Sequence, residues 1–221
     1  MNDSRFHEAL RSSRVWDTVL PEFRPEDTPP DPLPLFHDWF VAAAAAGEVE
    51  PHVMSLATVD EAGRPDVRML TLHDADARGW HFASHATSAK GRQLAARPVA
   101  ALAFYWPREG RQVRVRGRVA VGTAEEARED LRVRSTGALA SALVGRQSEV
   151  LPSTSVLAEA SGAAWERARA EPDAPAETWT CYVLEPAEVE FFQGDERRRH
   201  VRLRYRRGRA ADSWTRELLW P

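Results

Sequence analysis

Residues 53–84 read VMSLATVDEAGRPDVRMLTLHDADARGWHFAS, and this stretch decides the fold. Residues 53–59 are apolar and β-branched enough for a strand, and residues 67–73 alternate in strand fashion. Between them Asp60-Glu61-Ala62-Gly63 predicts a hairpin turn. Residues 74–79 predict a second turn, and residues 80–84 a third strand. Short strands joined by tight turns, with few helices between them, point to a mainly antiparallel sheet closed into a barrel.

The flanks extend this pattern. Residues 93–97 suit a short helix, and residues 99–106 form a fully apolar run that predicts a strand buried on both faces. In residues 112–121 the side chains of Val113, Val115, Val119 and Val121 point one way, and those of Gln112, Arg114, Arg116 and Arg118 the other. Thr123-Ala124-Glu125-Glu126 has capping-box spacing and opens a helix to about residue 133; residues 135–145 and 156–170 predict two more. Strands return at 178–184, 189–192, 201–206 and 214–219. Upstream, Asp31-Pro32 starts a helix through Leu35, Phe36, Trp39 and Phe40 to Ala46, which Gly47 stops. Residues 21–34 hold six of the fifteen prolines and read as an extended linker, while residues 1–20 are weakly amphipathic. The predicted organisation is an N-terminal extension over 1–30 and one domain over 31–221, mainly β with flanking helices. No repeat, strand–helix alternation or glycine-rich phosphate fingerprint is present, which leaves nicotinamide dinucleotides and nucleoside triphosphates little support.

Composition narrows the function. A net charge of -3 gives no bulk attraction for nucleic acid. The basic segment over 196–207 carries interleaved Val201, Leu203 and Tyr205, which suggests a strand with one cationic face. The single cysteine, Cys181, permits no intrachain disulfide and, between Trp179 and Tyr182, reads as a buried structural thiol. The N-terminus lacks the apolar core of a signal peptide and no run spans a bilayer, so the expected location is cytoplasmic.

Candidate chemistry gathers around Lys90. The thirty Lys and Arg residues include one lysine, and it follows a strand in Ser84-His85-Ala86-Thr87-Ser88-Ala89-Lys90, at the start of a helix. Hydroxyls, a compact cation and free backbone N–H groups at a helix start make an anion site. A lone surface lysine in an arginine-rich chain is the bland alternative. If the strands carrying Arg68, Thr71, His73 and Ser84 pair, one sheet end gathers two cations, several hydroxyls and an imidazole, a set suited to a phosphate ester; otherwise Arg68 and His73 line a solvated face. The spacing of His73, His81 and His85 matches no common zinc pattern, so no metal is expected. No G-x-S-x-G element supports a serine hydrolase.

These blocks resemble the pyridoxamine 5′-phosphate oxidase family. Residues 53–65 with Arg68-Met69-Leu70-Thr71-Leu72, then Phe82-Ala83-Ser84 leading to Ser88-Ala89-Lys90, are similar to its first blocks. Gln112-Val113-Arg114-Val115-Arg116-Gly117 and Gly145-Arg146-Gln147-Ser148 follow in the family's order. Residues 188–194 with Arg198-Arg199-His200-Val201-Arg202 resemble its closing signature, and the likeness runs from about residue 31 to the end. The resemblance implies an FMN-binding split β-barrel homodimer with FMN at the subunit interface. It implies FMN contacts from Arg68, Met69, Thr71, Leu72, Ser84, Ser88, Lys90, Gln112, Gln147, Ser148, Phe192 and Arg202. It implies that His73, Arg134, Arg198 and His200 face the substrate, with Arg198 and His200 catalytic.

The departures fall mostly at the substrate. The family usually has lysine at His73, an aromatic at Asp130 and serine at Ala138. On the flavin side it usually has tyrosine at Ala83, arginine at Ala89 and tryptophan at Phe192. The expected activity is an FMN-dependent oxidase of the pyridoxamine/pyridoxine 5′-phosphate type, passing hydride from substrate to flavin and on to O₂ to give H₂O₂. The alternatives are an oxidase of a specialised metabolite, as in the related phenazine-biosynthesis enzymes, or a non-catalytic flavin-binding protein. The expected ligand is small and anionic, with no nucleic acid or membrane partner.

Overall fold

The computed structural model describes residues 3–16, 18–208 and 213–221. In chain order the strands are β1 (Val53–Val59), β2 (Pro65–Thr71), β3 (Asp74–Asp76), β4 (Gly79–His85), β5 (Val99–Trp106), β6 (Arg111–Val121), β7 (Trp179–Gln193), β8 (Val201–Arg207) and β9 (Trp214–Leu218). They form one sheet in the order β2-β1-β5-β6-β7-β4-β3, with β8 on β7 and β9 on β8, and every pairing is antiparallel. The two ends of that order, β2 and β3, are consecutive in the chain. The His73 N–H donates to the His81 carbonyl at 2.9 Å, so the sheet curls round into a split barrel.

The helices are α1 (Asp3–Ser12), α2 (Pro32–Ala45), α3 (Ala89–Ala96), α4 (Ala124–Arg132), α5 (Thr136–Val144) and α6 (Thr154–Ala170). Asp31 caps α2 by accepting the Leu33 N–H at 2.8 Å, and Gly47, at φ +81°, ends that segment in the left-handed region. Helix α2 lays Phe36 against Trp80 and Phe104, with ring centroids 5.3 and 5.2 Å apart. Met54, Leu56, Leu102 and Val115 complete this core. Burying one such aromatic side chain contributes roughly 2–3 kcal/mol. The predicted capping box at Thr123 is present, with Glu126 returning the bond to the Thr123 N–H at 2.7 Å. Leu131, Leu139, Ala140, Ala142, Ala164 and Ala168 form a second, smaller core with α4, α5 and α6, and Trp179 packs against it.

Several sequence expectations change. Residues 74–79 hold strand β3 as well as a turn, because Asp74–Asp76 pairs with β4. Strand β5 buries only the Leu102, Phe104 and Trp106 side; within the chain Val99 is 50% and Tyr105 55% exposed. Its apolar composition therefore does not mean two covered faces. Val121 lies exposed at the end of β6, beyond the register shift at Arg116/Gly117. The predicted strands 178–184 and 189–192 are a single strand, β7. Pro186 has no N–H to offer a partner, but it falls opposite Gly117 at that shift, where a Cβ would collide with the Glu185 carbonyl.

The basic run does form a strand with one arginine face, yet that face is neutralised. Arg202 bonds Glu190 at 2.8 Å, and Arg204 bonds Glu217 at 2.6 Å and lies 3.8 Å from Glu188. Residues 21–30 are tied down rather than loose: Phe23 meets Trp39 at 4.9 Å, and the Tyr205 hydroxyl donates to the Pro29 carbonyl at 2.8 Å. Of the weakly amphipathic 1–20 stretch, residues 3–12 are helical, and residues 1, 2 and 17 lie outside the described residues.

Candidate active site

Strands β2 and β4 are not neighbours in the sheet order, but closure of the barrel at His73 and His81 brings Thr71, His73 and Ser84 to one cavity. Helix α3 adds Lys90 beside it. Ser88 caps α3 by accepting the Gly91 N–H at 3.2 Å, and Ser148, at φ +74°, accepts the Ala89 N–H at 3.1 Å. Gly91 permits the first turn to press against the end of β4, where a Cβ would strike the His85 and Ala86 carbonyls.

This geometry drives Lys90 inside, to 6% exposure. Its Nζ donates to Ser84 Oγ at 3.0 Å and to Gln147 Oε1 at 2.8 Å, and both partners are neutral. Burial, and then the nearby Arg68 charge, push the ammonium down to a pKa of about 8, with Asp66 opposing. Arg68 itself is held by Asp66 Oδ2 at 2.5 Å and by Gln93 Oε1 at 3.1 Å. Burial, then the Lys90 charge, also lower the pKa of His85, whose Nδ1 lies 2.7 Å from Thr178 Oγ1.

A cavity of about 510 Å³ opens beside this corner. Thr71, His73, Ser84, Arg134 and Gln147 line it together with Trp165 and Trp179. Arg134 binds both Asp130 oxygens, Nε to Oδ2 at 2.8 Å and Nη2 to Oδ1 at 3.0 Å. Trp179 Nε1 donates to Asp130 Oδ2 at 2.7 Å, and His73 Nδ1 lies 3.0 Å from Oδ1. Burial works to raise the Asp130 carboxyl, but bonds from His73, Arg134 and Trp179 outweigh it and hold the group far below the usual carboxylate range.

A third group sits elsewhere. Gln112, Phe192 and Arg202 face one another in register across β6, β7 and β8, and so share a sheet face. His200 lies 5.1 Å from the Phe192 ring and accepts the Asp195 N–H on Nδ1 at 3.1 Å, which leaves its ring proton on Nε2. Arg198 is exposed, at φ +63°. Within one chain the Lys90 corner and this row therefore stand apart. Met69 is 62% exposed, and Leu72 packs on the main core; of the β2 set, Thr71 lines the cavity. Cys181 is half-buried, its thiol pushed up to about 11 by burial and by Asp130 and Glu126, which suits a packing role. Among the described residues no group of His, Cys, Asp and Glu could hold a metal ion, and no helix is long and apolar enough to cross a membrane.

Sequence reasoning missed the aromatic wall. Trp165 reaches the cavity only because α6 packs on α5, and no local pattern signals that. It also missed Thr58, Asp66 and Gln93, which engage Arg68.

This fold, a split barrel with a buried cation corner beside an aromatic cavity, has counterparts among known proteins. Residues 41–166 match the family model of pyridoxamine 5′-phosphate oxidase, and residues 179–221 match that of the pyridoxine 5′-phosphate oxidase C-terminal dimerisation region. The chain belongs to the pyridoxamine 5′-phosphate oxidase family and is an FMN-dependent oxidoreductase. It is 44% identical over 197 residues to the pyridoxine/pyridoxamine 5′-phosphate oxidase of Pseudomonas fluorescens strain SBW25, covering 87% of this chain and 90% of that one. Its fold is similar to that of PhzG from Burkholderia lata 383, solved in complex with tetrahydrophenazine-1-carboxylic acid, with a TM-score of 0.84, 30% identity, and coverage of 94% of this chain and 100% of that one. An FMN-binding protein from Nostoc punctiforme PCC 73102 shares the fold at a TM-score of 0.68 and 20% identity, covering 88% of this chain and 100% of that one.

Proposed function

We propose that this chain is a homodimeric oxidase that holds the FMN phosphate at Lys90 and its substrate in the cavity beside Trp179. The observation that carries this reading is a buried ammonium whose hydrogen-bond partners are both neutral. A buried charge of that kind is costly unless an anion completes it. The donors fit a phosphate: the Lys90 Nζ, with the Ser84 and Ser88 hydroxyls and the α3 N-terminus beside it. When bound, FMN would supply a two-electron acceptor for a hydride from a substrate C–H next to nitrogen or oxygen, with O₂ taking the electrons to give H₂O₂. Arg68, Thr71, Gln147 and Ser148 complete the cofactor wall of this chain.

The row of Gln112, Phe192 and Arg202, with Arg198 and His200, belongs in this reading to the site of the second copy, reached through the 179–221 region. Arg198 and the Nε2–H of His200 would orient the substrate and stabilise developing charge. The relatives' activity makes pyridoxine or pyridoxamine 5′-phosphate one substrate candidate. A second reading, a specialised metabolite, is favoured by Asp130, which engages the cavity's inner cation.

The test is direct. Purified protein should be yellow with a flavin spectrum, and substrate in air should give peroxide; a protein that gains no flavin signal on FMN addition overturns the proposal. Mixed dimers of Lys90→Ala and Arg202→Ala chains should regain about half of the FMN sites if each site draws on both chains. No recovery would place both groups in one chain's site.

A further inference from the structure

We infer that Glu190 is a positioning residue for the reaction: with the Trp220 carbonyl it fixes the Arg202 guanidinium so that one edge stays open for the FMN of the second copy, and it limits the positive charge met there. The inference rests on the reading that gives Gln112, Phe192 and Arg202 to that site, and goes beyond it to the acid behind Arg202.

Side chains alternate along a strand, so Glu190 shares the sheet face of Phe192, and it stands opposite Arg114 on β6 and Arg204 on β8. It is buried yet ionised. Burial works to raise its carboxyl, but bonds from Arg202 and Arg114 outweigh it and hold the group below the usual carboxylate range. Each oxygen serves one arginine: Oε1 accepts Arg202 Nε at 2.8 Å, and Oε2 accepts Arg114 Nη2.

Arg202 is held at a second point. Its Nη1 donates to the Trp220 carbonyl at 2.9 Å, and the Leu219 N–H returns a bond to the Arg202 carbonyl at 3.0 Å. A guanidinium is a rigid plane, so two fixed nitrogens settle where the third points. Among the described residues that third nitrogen, Nη2, has no hydrogen-bond partner. Arg204, on the next rung, differs. Its Nε and Nη2 both donate to Glu217, and its Nη1 lies 3.8 Å from Glu188. Arg204 is spent within the chain, whereas Arg202 keeps an edge for an outside acceptor.

The same acid governs charge. Across β6 to β9 this face sets four arginines, Arg114, Arg116, Arg202 and Arg204, against three glutamates, Glu188, Glu190 and Glu217. Arg198, exposed between β7 and β8, adds a further positive charge, and the His200 Nδ1 is taken by the Asp195 N–H. Glu190 is the most deeply buried of the three acids, so water screens it least. Without it the positive surplus grows. Positive charge favours the reduced cofactor, because two-electron reduction adds negative charge.

Fluorescence titration of FMN and spectroscopic measurement of the bound flavin's reduction potential, on the full chain, test this. Glu190→Gln and Arg202→Met should each weaken FMN binding by about tenfold, and the double variant by no more than about tenfold, because one residue acts through the other. Glu190→Gln should also favour reduced over oxidised FMN by about tenfold, a rise of about 30 mV for two electrons. Arg114→Met removes a cation instead; it should shift the potential the other way and leave the affinity for oxidised FMN within about threefold. Losses that multiply to about a hundredfold in the double variant, or a Glu190→Gln chain with wild-type affinity and potential, overturn the inference. If Glu190→Gln fails to fold, Arg114→Met decides at its exposed position, and an unmoved potential overturns the inference. Wild-type FMN affinity in Arg202→Met overturns it together with the placement of this row. Protein that takes up no FMN overturns the cofactor reading itself.

Discussion

Lys90 and Arg134 are both cations at the edge of one cavity, and they differ in their company. Lys90 is buried among neutral acceptors, Ser84 and Gln147, whereas Arg134 grips both oxygens of Asp130. The first cation has no anion in contact and is poised for one from outside. The second is complete within the chain. Charge content alone does not make an anion site; what matters is whether the protein has already supplied the counter-charge.

The comparison can be broken first by pH. Lys90 titrates near 8 in the folded chain against about 10.4 unfolded, so folding carries a penalty below pH 8 that fades as pH rises toward that unfolded value. FMN-free protein should therefore gain on the order of 3 kcal/mol of stability between pH 8 and about 10.5, read by urea denaturation. FMN-loaded protein should lack this gain, because a phosphate that holds the ammonium protonated brings its pKa back toward the unfolded value. An FMN-free stability that is flat with pH would mean Lys90 is less confined than its contacts indicate.

Lys90→Met separates binding from folding. It should weaken FMN binding by about 100-fold in a fluorescence titration. It should also stabilise the FMN-free protein, an outcome expected only if the ammonium is an internal cost that FMN offsets.

At the other cation the signs reverse. Arg134→Gln should cost about 1–2 kcal/mol of stability by thermal denaturation and leave FMN affinity unchanged, because Asp130 loses a bidentate partner. Asp130 contributes stability present above its unfolded pKa and lost as pH falls through its lower folded value. Acid unfolding of Arg134→Gln should accordingly begin at higher pH than that of the wild type. The smallest effect is expected at Ser148→Ala, which removes one acceptor at the start of α3: about 0.5–1 kcal/mol by denaturation and a few-fold in FMN affinity.

Much of the fold was legible because its signals are local. Gly63 turns the β1–β2 hairpin, Ser88 and Thr123 cap their helices, and Asp31-Pro32 opens α2. Strand β7 was split in the sequence reading because Pro186 is a local stop, and only its partner Gly117, far away in the chain, makes the continuous strand possible. The apolar composition of β5 points to two covered faces for the same reason, since composition does not say which neighbours arrive. In the site, Lys90, Ser84, Gln147 and His73 were named from sequence and lie at one cavity or beside it. Arg68 was named too, but its engagement by Asp66 and Gln93 depends on the approach of α3.

From the chain of letters alone came the strand-and-turn rhythm and the lone lysine at a helix start, each a property of neighbouring residues; the Asp130 departure came from the family resemblance. What only the tertiary structure decided is which charges cancel. Asp130, on α4, meets His73 between β2 and β3 and Trp179 at the start of β7, while Lys90 meets no carboxylate in hydrogen-bond contact. Electrostatic energy depends on distance and burial, and residues far apart in sequence acquire both only when the chain folds.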